Sequence, residues 1–218
     1  TISGDGIGES VINGSVNIGQ ASSSTSINGT TITGFTINSK NGDFAIETTV
    51  ETTENITIEQ NRIAGEAGAS AAAYFQNPVN IDILHNEFVG PDGNDVGDTV
   101  GDLLVIGAGS NDDGDGYTII NNSFESTIER DQSPSGGNAI EIRTDGSVTV
   151  ENNNFTEVTS NNGALIWVAD KVTDVSINQN DIVHNTGTTD GLQVQSGASD
   201  VNATSNWWGS PNGPAADS

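Results

Sequence analysis

The sequence predicts an all-β chain wound into a right-handed, single-stranded parallel β-helix of about seven to eight coils. Three observations point there: a short unit recurs six times around one Asn, each unit carries a second alternating run, and no stretch holds a capped apolar stripe at helical spacing. The recurring unit reads ITIEQNRI (56 to 63), IDILHNEF (81 to 88), YTIINNSF (117 to 124), VTVENNNF (148 to 155), VSINQNDI (175 to 182) and VNATSNWW (201 to 208). Its anchors, Asn61, Asn86, Asn122, Asn153, Asn180 and Asn206, are 25, 36, 31, 27 and 26 residues apart, a spacing that suits one solenoid coil with insertions placed in loops. The second run appears as DFAIETT, AAAYFQ, DLLVIG, NAIEIRT, ALIWVAD and GLQVQSG, short alternations of the half-buried strand type. Gly and Asn fill the gaps, where the chain must bend sharply.

The anchor Asn has a physical role in such a stack. Coils lie about 4.8 Å apart, so equivalent side chains stand above one another, and an amide can donate to one coil while accepting from the next. The six Asn side chains should therefore be buried and bonded along the axis. Two places on, Ile63, Phe88, Phe124, Phe155, Ile182 and Trp208 should form a second internal stack. At period two, Ile56 with Ile58, Ile81 with Ile83, and Val148 with Val150 should also point inward.

Composition agrees with a thin, long core. At 218 residues the chain is expected to form one domain over 1–218, and its 33% hydrophobic and 5% aromatic content is lean. A cap is expected at about 206–218, where Trp208 takes the inward position and Pro211 and Pro214 stop further coiling. There are 30 acidic residues against five basic ones, Lys40, Arg62, Arg130, Arg143 and Lys171, giving a formal net charge of -25. Self-repulsion on that scale becomes tolerable when salt shortens the screening length to about 3 Å near 1 M. The Asp-rich, Lys-poor balance resembles proteins of extreme halophiles. It excludes nucleic acid as a partner, since no basic stripe is present to meet a phosphate backbone. With no Cys, neither disulfides nor thiolate metal sites contribute. The chain begins at Thr1 and contains no Met, which reads as a processed or excerpted sequence, so a missing signal peptide says nothing against secretion. No apolar run approaches the roughly 20 residues that span a bilayer. Sequons at Asn13, Asn28, Asn55, Asn121, Asn154 and Asn202 would matter in an exported protein.

The units resemble the parallel β-helix repeats of the pectin-lyase-like superfamily, including repeat proteins related to periplasmic copper-maturation factors. TTITGFTIN at 30 to 38 and GLQVQSGASDVNATSNWWGSPNGPA at 191 to 215 carry the resemblance, the latter being similar to endings of surface proteins of haloarchaea and methanogens. The resemblance covers most of Ile32 to Ala215 and implies fold more than activity, because the same solenoid carries lyases, hydrolases, epimerases, adhesins and virus spikes.

Two candidate sites follow from the register. With Ile140 and Ile142, Ile166 and Val168, and Leu192 and Val194 facing inward, Glu141, Arg143, Trp167, Gln193 and Gln195 should face solvent on three successive coils. An indole stacks on a sugar face while amides and charges bind hydroxyls, so this row is the expected ligand site, for a polysaccharide or surface glycan. In the loop 110 to 116, Asn111, Asp113 and Asp115 followed by Gly116 resemble the opening of an oxygen-ligand calcium loop. The closing Glu is missing, since the twelfth position is Asn122, so any calcium would be weakly held and no other cofactor is expected.

Catalytic residues are not assigned. The resemblance implies a basic proton acceptor in lyases and clustered Asp residues in hydrolases, yet Arg143 is the one basic residue expected on the outer face of a core strand, with Asp145 and Asp170 beside it. His85 and His184 stand one place before and four places after their anchors, so they do not stack. The expected function is that of an extracellular, halophilic surface or virion/filament protein with a structural, adhesive or glycan-binding role, associating with glycans, other copies of itself or surface-layer proteins. The alternative is a carbohydrate-active enzyme, a polysaccharide lyase, hydrolase or epimerase, with Arg143, Glu141, Asp145 and Asp170 around a groove containing Trp167.

Overall fold

A computed structural model describes residues 1–19, 27–40, 42–48, 53–76, 78–90, 101–107, 114–128, 137–160, 163–182, 186–187 and 190–211. The described residues form strands and turns and no helix, and every strand pairing between them is parallel. The strands lie in three sheets. Each coil passes once through all three, so neighbours within a sheet come from successive coils and the chain is a parallel β-solenoid.

The first sheet takes the ITIEQ half of each unit: Thr53–Glu59, Val79–Leu84, Asp115–Ile120, Val148–Glu151 and Val175–Asn178 are its central strands. The second sheet takes the half after the Asn, as in Arg62–Ala64, Glu87–Val89, Ser123–Ile128 and Asn154–Ser160. The second alternating run of the sequence builds the third sheet, through Ile46–Thr48, Ala71–Phe75, Asp102–Ile106, Ile140–Ile142, Ala164–Val168 and Asp190–Val194. The longest strand paths among the described residues hold eight, seven and seven strands.

Register follows the alignment of the units. Ile58, Ile83, Ile119, Val150 and Ile177 stack in the first sheet, as do Ile56, Ile81, Tyr117, Val148 and Val175. All are buried. Phe88, Phe124 and Phe155 stack face to face with centroids 4.9 and 5.0 Å apart and rings 6° and 10° from parallel. A parallel in-register stack forces like above like, which is why one large apolar side chain recurs at one place in the unit.

Between the first and second sheets the anchor Asn residues form the expected ladder. The Oδ1 of Asn122 accepts from the backbone N–H of Asn86 at 2.8 Å and from its Nδ2 at 3.1 Å, and Asn153 does the same for Asn122 at 2.9 and 3.1 Å. Each Nδ2 also donates back to a main-chain carbonyl of the preceding coil, Asn86 to Ile58 and Asn153 to Ile119. Asn61, Asn86, Asn122, Asn153 and Asn180 are buried, and Asn206 is half-buried at the end of the run. The residue before each anchor turns the corner in the left-handed region: Gln60, His85, Asn121, Asn152, Gln179 and Ser205 have φ of 55°, 56°, 57°, 55°, 58° and 62°. Left-handed backbone disfavours L-residues by about 1–2 kcal/mol each, so the ladder bonds that close the turn also hold it in this conformation.

Trp208 is half-buried and packs against the core, and residues 212–218 of the expected cap lie outside the described residues.

Candidate functional site

The outward column of the third sheet aligns as the sequence predicts. Val105, Glu141, Trp167 and Gln193 are register partners on four successive coils. Their exposure does not follow the expectation that the row faces solvent. Glu141 is fully buried, Trp167 and Gln193 are half-buried, and Gln195 is half-buried beyond the strand. Asp145 and Asp170 are exposed. The reason lies in the neighbouring column: Leu103, Ala139 and Leu165, two places before Val105, Glu141 and Trp167, are also outward by alternation, and all three are buried. Here the sheet is packed on both faces, and the outer packing takes Glu141 with it.

Burying a carboxylate demands partners. Arg143 supplies them, donating from Nε and Nη2 to Oε1 of Glu141, both at 2.6 Å, while 41% of its own side chain stays exposed. Among the described residues the other oxygen, Oε2, is buried with no hydrogen-bond partner. Across from it stands Asp102, an acid that sequence reasoning passed over. Asp102 occupies a ladder-like position of its own: its Oδ1 accepts from the backbone N–H of Asn138 at 2.8 Å and from Nδ2 of Asn138 at 3.0 Å, and Oδ1 of Asn138 accepts from the N–H of Ala164 at 2.9 Å. Burial holds the Asp102 carboxyl well above the usual carboxylate range, and the adjacent charge of Glu141 pushes it further, against the opposing bonds from Asn138. Both the burial and the neighbouring carboxylate favour the protonated form of Asp102, the form that can donate toward Glu141. The signal for it in the sequence was faint, an acid opening the run DLLVIG where the next coil has Asn138.

Trp167 presents an indole whose Nε1 is buried without a hydrogen-bond partner among the described residues. The row thus combines a half-buried aromatic, a buried carboxyl pair and one partly exposed guanidinium.

The calcium expectation finds partial coverage. Asn111 and Asp113 lie outside the described residues. Asp115 is engaged with the next coil, its Oδ1 accepting from Oγ of Ser147 at 2.7 Å, the N–H of Ser147 at 2.8 Å and the N–H of Gly116 at 2.8 Å. Those bonds, the Ser147 hydroxyl foremost, lower its pKa from the ordinary carboxylate value. Among the described residues no group of three metal-ligating side chains comes together.

A second concavity lies outside the Asn ladder. A groove of about 410 Å³ runs across three coils, lined by His85, Asn86 and Glu87, then Asn121, Asn122 and Ser123, then Asn152 and Asn154. Its walls are the left-handed residues and the first outward residues of the second sheet, which period-two reasoning about the core never weighed. Compared with protein-family models, with curated proteins and with solved structures, the chain matches none.

Proposed function

We propose that the chain is a non-catalytic, extracellular β-helix of the pectin-lyase-like kind, similar to surface proteins of haloarchaea, with a structural, adhesive or glycan-binding role in salty water. The observation that carries this reading is the state of Glu141: the acid beside the row's one cation is sealed from solvent and clamped by Arg143, where a catalytic carboxylate must reach its substrate. Beside it, Asp102 and Asn138 spend their polar groups on bonds between coils, which suits a rod that presents its surface. A glycan would stack on Trp167 and reach Arg143 and Gln193 on the adjoining coils. Partners of the rod are surface glycans, surface-layer proteins or further copies of the chain.

The carbohydrate-active alternative draws on one observation, the carboxyl of Asp102 raised by burial beside Glu141, since neighbouring carboxyls in unlike environments are the usual equipment of acid–base catalysis. Turnover of acidic polysaccharides in molar salt, abolished by Glu141→Gln, would replace the first reading by this one. On the first reading that panel shows no turnover, and Trp167→Ala weakens binding on a glycan array by about 1–2 kcal/mol. The melting temperature should also climb as salt rises from about 0.1 M to molar levels, because the Debye length falls from about 10 Å to 3 Å and screens the carboxylates. A melting temperature indifferent to salt removes the halophilic part of the reading.

A further inference from the structure

We infer that the groove outside the ladder turn is a carbohydrate seat in its own right, for an extended, uncharged, polyhydroxylated chain running along the solenoid axis. It lies on different residues from the Trp167 row and does not depend on that row binding anything.

The argument starts from the backbone. His85, Asn121 and Asn152 spend their N–H groups on carbonyls of the next coil, Ile120, Glu151 and Asn178. Their left-handed φ turns the corner, so each side chain is exposed rather than folded into the core. The ladder residues Asn86 and Asn122, which form the floor, have their amides fully committed along the axis. Among the described residues nothing hydrogen-bonds the side chains of Asn121, Asn152, Asn154, Ser123 or His85. The groove therefore sets a rigid floor beneath a double row of unspent amide, hydroxyl and imidazole groups, repeated at the coil spacing of about 4.8 Å. Pre-set backbone of this kind lowers the ordering cost of binding.

Charge selects the ligand class. In a chain of net charge -25 the groove contains one acid, Glu87, and that acid faces Arg62 at 3.6 Å. A cation finds no convergent carboxylates there, and an anion meets no free positive group. A peptide finds no apolar pocket to anchor it and no open strand edge, because the strands beneath are paired on both sides. Hydroxyl groups, which donate and accept at one atom, match amides that do the same within one side chain. With His85 as the only ring, affinity must come from many hydrogen bonds in sequence, so it should grow with ligand length.

The test is calorimetry in molar salt with neutral gluco-, manno- and chito-oligosaccharides of two and six sugars, an oligogalacturonate of six, and calcium chloride alone. At least one neutral hexaose should bind, and about tenfold more tightly than its disaccharide. The variant Asn121→Gly with Asn152→Gly keeps the left-handed turns accessible and should weaken the hexaose by about tenfold, as expected for the loss of one to two net hydrogen bonds. Its melting temperature confirms that the rod is intact, and Trp167→Ala should leave this binding unchanged. The inference is overturned if no neutral hexaose binds, if the oligogalacturonate or calcium binds in preference, or if the Gly variant binds as the parent does. It is also overturned if binding is lost only in Trp167→Ala, which would assign the ligand to the row on the third sheet. A glycan found on Asn121 or Asn154 in protein from its own source would likewise overturn it, since the groove would then hold the chain's own sugar.

Discussion

The ladder turn and the outer face of the third sheet are built from the same coils, yet they treat polar groups in opposite ways. At the turn, neutral amides are buried in a row, each satisfied by the next, and a second row of neutral side chains is left free outside. On the third sheet, apolar residues spill onto the outward side and draw a carboxylate pair under cover with a single Arg143 to hold it. The difference teaches that a strict repeat satisfies polar groups by stacking like on like, while a face without such a repeat must find specific charged and protonated partners.

The largest expected effect breaks the first region. Asn153→Ala removes the acceptor of the Asn122 N–H and Nδ2 and two donated bonds, so denaturant unfolding should show a loss of about 1–3 kcal/mol. An unchanged unfolding midpoint would mean that the ladder is no more than a by-product of the turns.

The smaller effect sharpens the second region through its pH dependence. Asp102 has a raised pKa in the folded chain, so the stability it contributes is present at low pH and is lost as pH rises through the folded value. Asp102→Asn keeps the Oδ1 acceptor for Asn138 and an N–H donor toward Glu141, as the protonated acid does. It should change stability by no more than about 1 kcal/mol where Asp102 is protonated, and it should flatten the decline that the parent shows as pH rises through the folded value. An identical pH profile in parent and variant would show that Asp102 is ionised in the fold and that Glu141 is held by Arg143 alone.

Much of the first region was legible in advance. One Asn per coil, with an apolar residue two places on, specified the ladder, the Phe stack and the assignment of strands to sheets, because stacking turns a recurring residue into a recurring environment. The third sheet was legible in register but not in exposure. Glu141 was placed beside Trp167 and Arg143 correctly, yet it was expected in water. Leu103, Val105 and Leu165 make their strands near-continuous apolar runs, the pattern of a strand covered on both faces, and reading DLLVIG and ALIWVAD as simple alternation missed it. Asp102 escaped notice because its ladder-like bond has only one Asn successor, Asn138, too short a series for spacing to reveal. The groove outside the turn was hidden for a different reason, since Gln60, His85, Asn121, Asn152, Gln179 and Ser205 share a backbone conformation and not a residue type.

The direction of the ladder bonds has a kinetic consequence. The N–H of each anchor Asn donates to the Oδ1 of the anchor one coil later, from Asn61 through Asn180. A chain emerging from its N-terminal end therefore always carries one unsatisfied anchor at its growing tip, which the next coil satisfies and hands on. Shortening from the C-terminal end leaves the N–H and Nδ2 of the new last anchor to water, whereas each added coil takes them up and passes the open position one level further along. The rod should accordingly elongate as a zipper with a polarity, nearest neighbour by nearest neighbour, and partly wound intermediates should fray from the C-terminal side first.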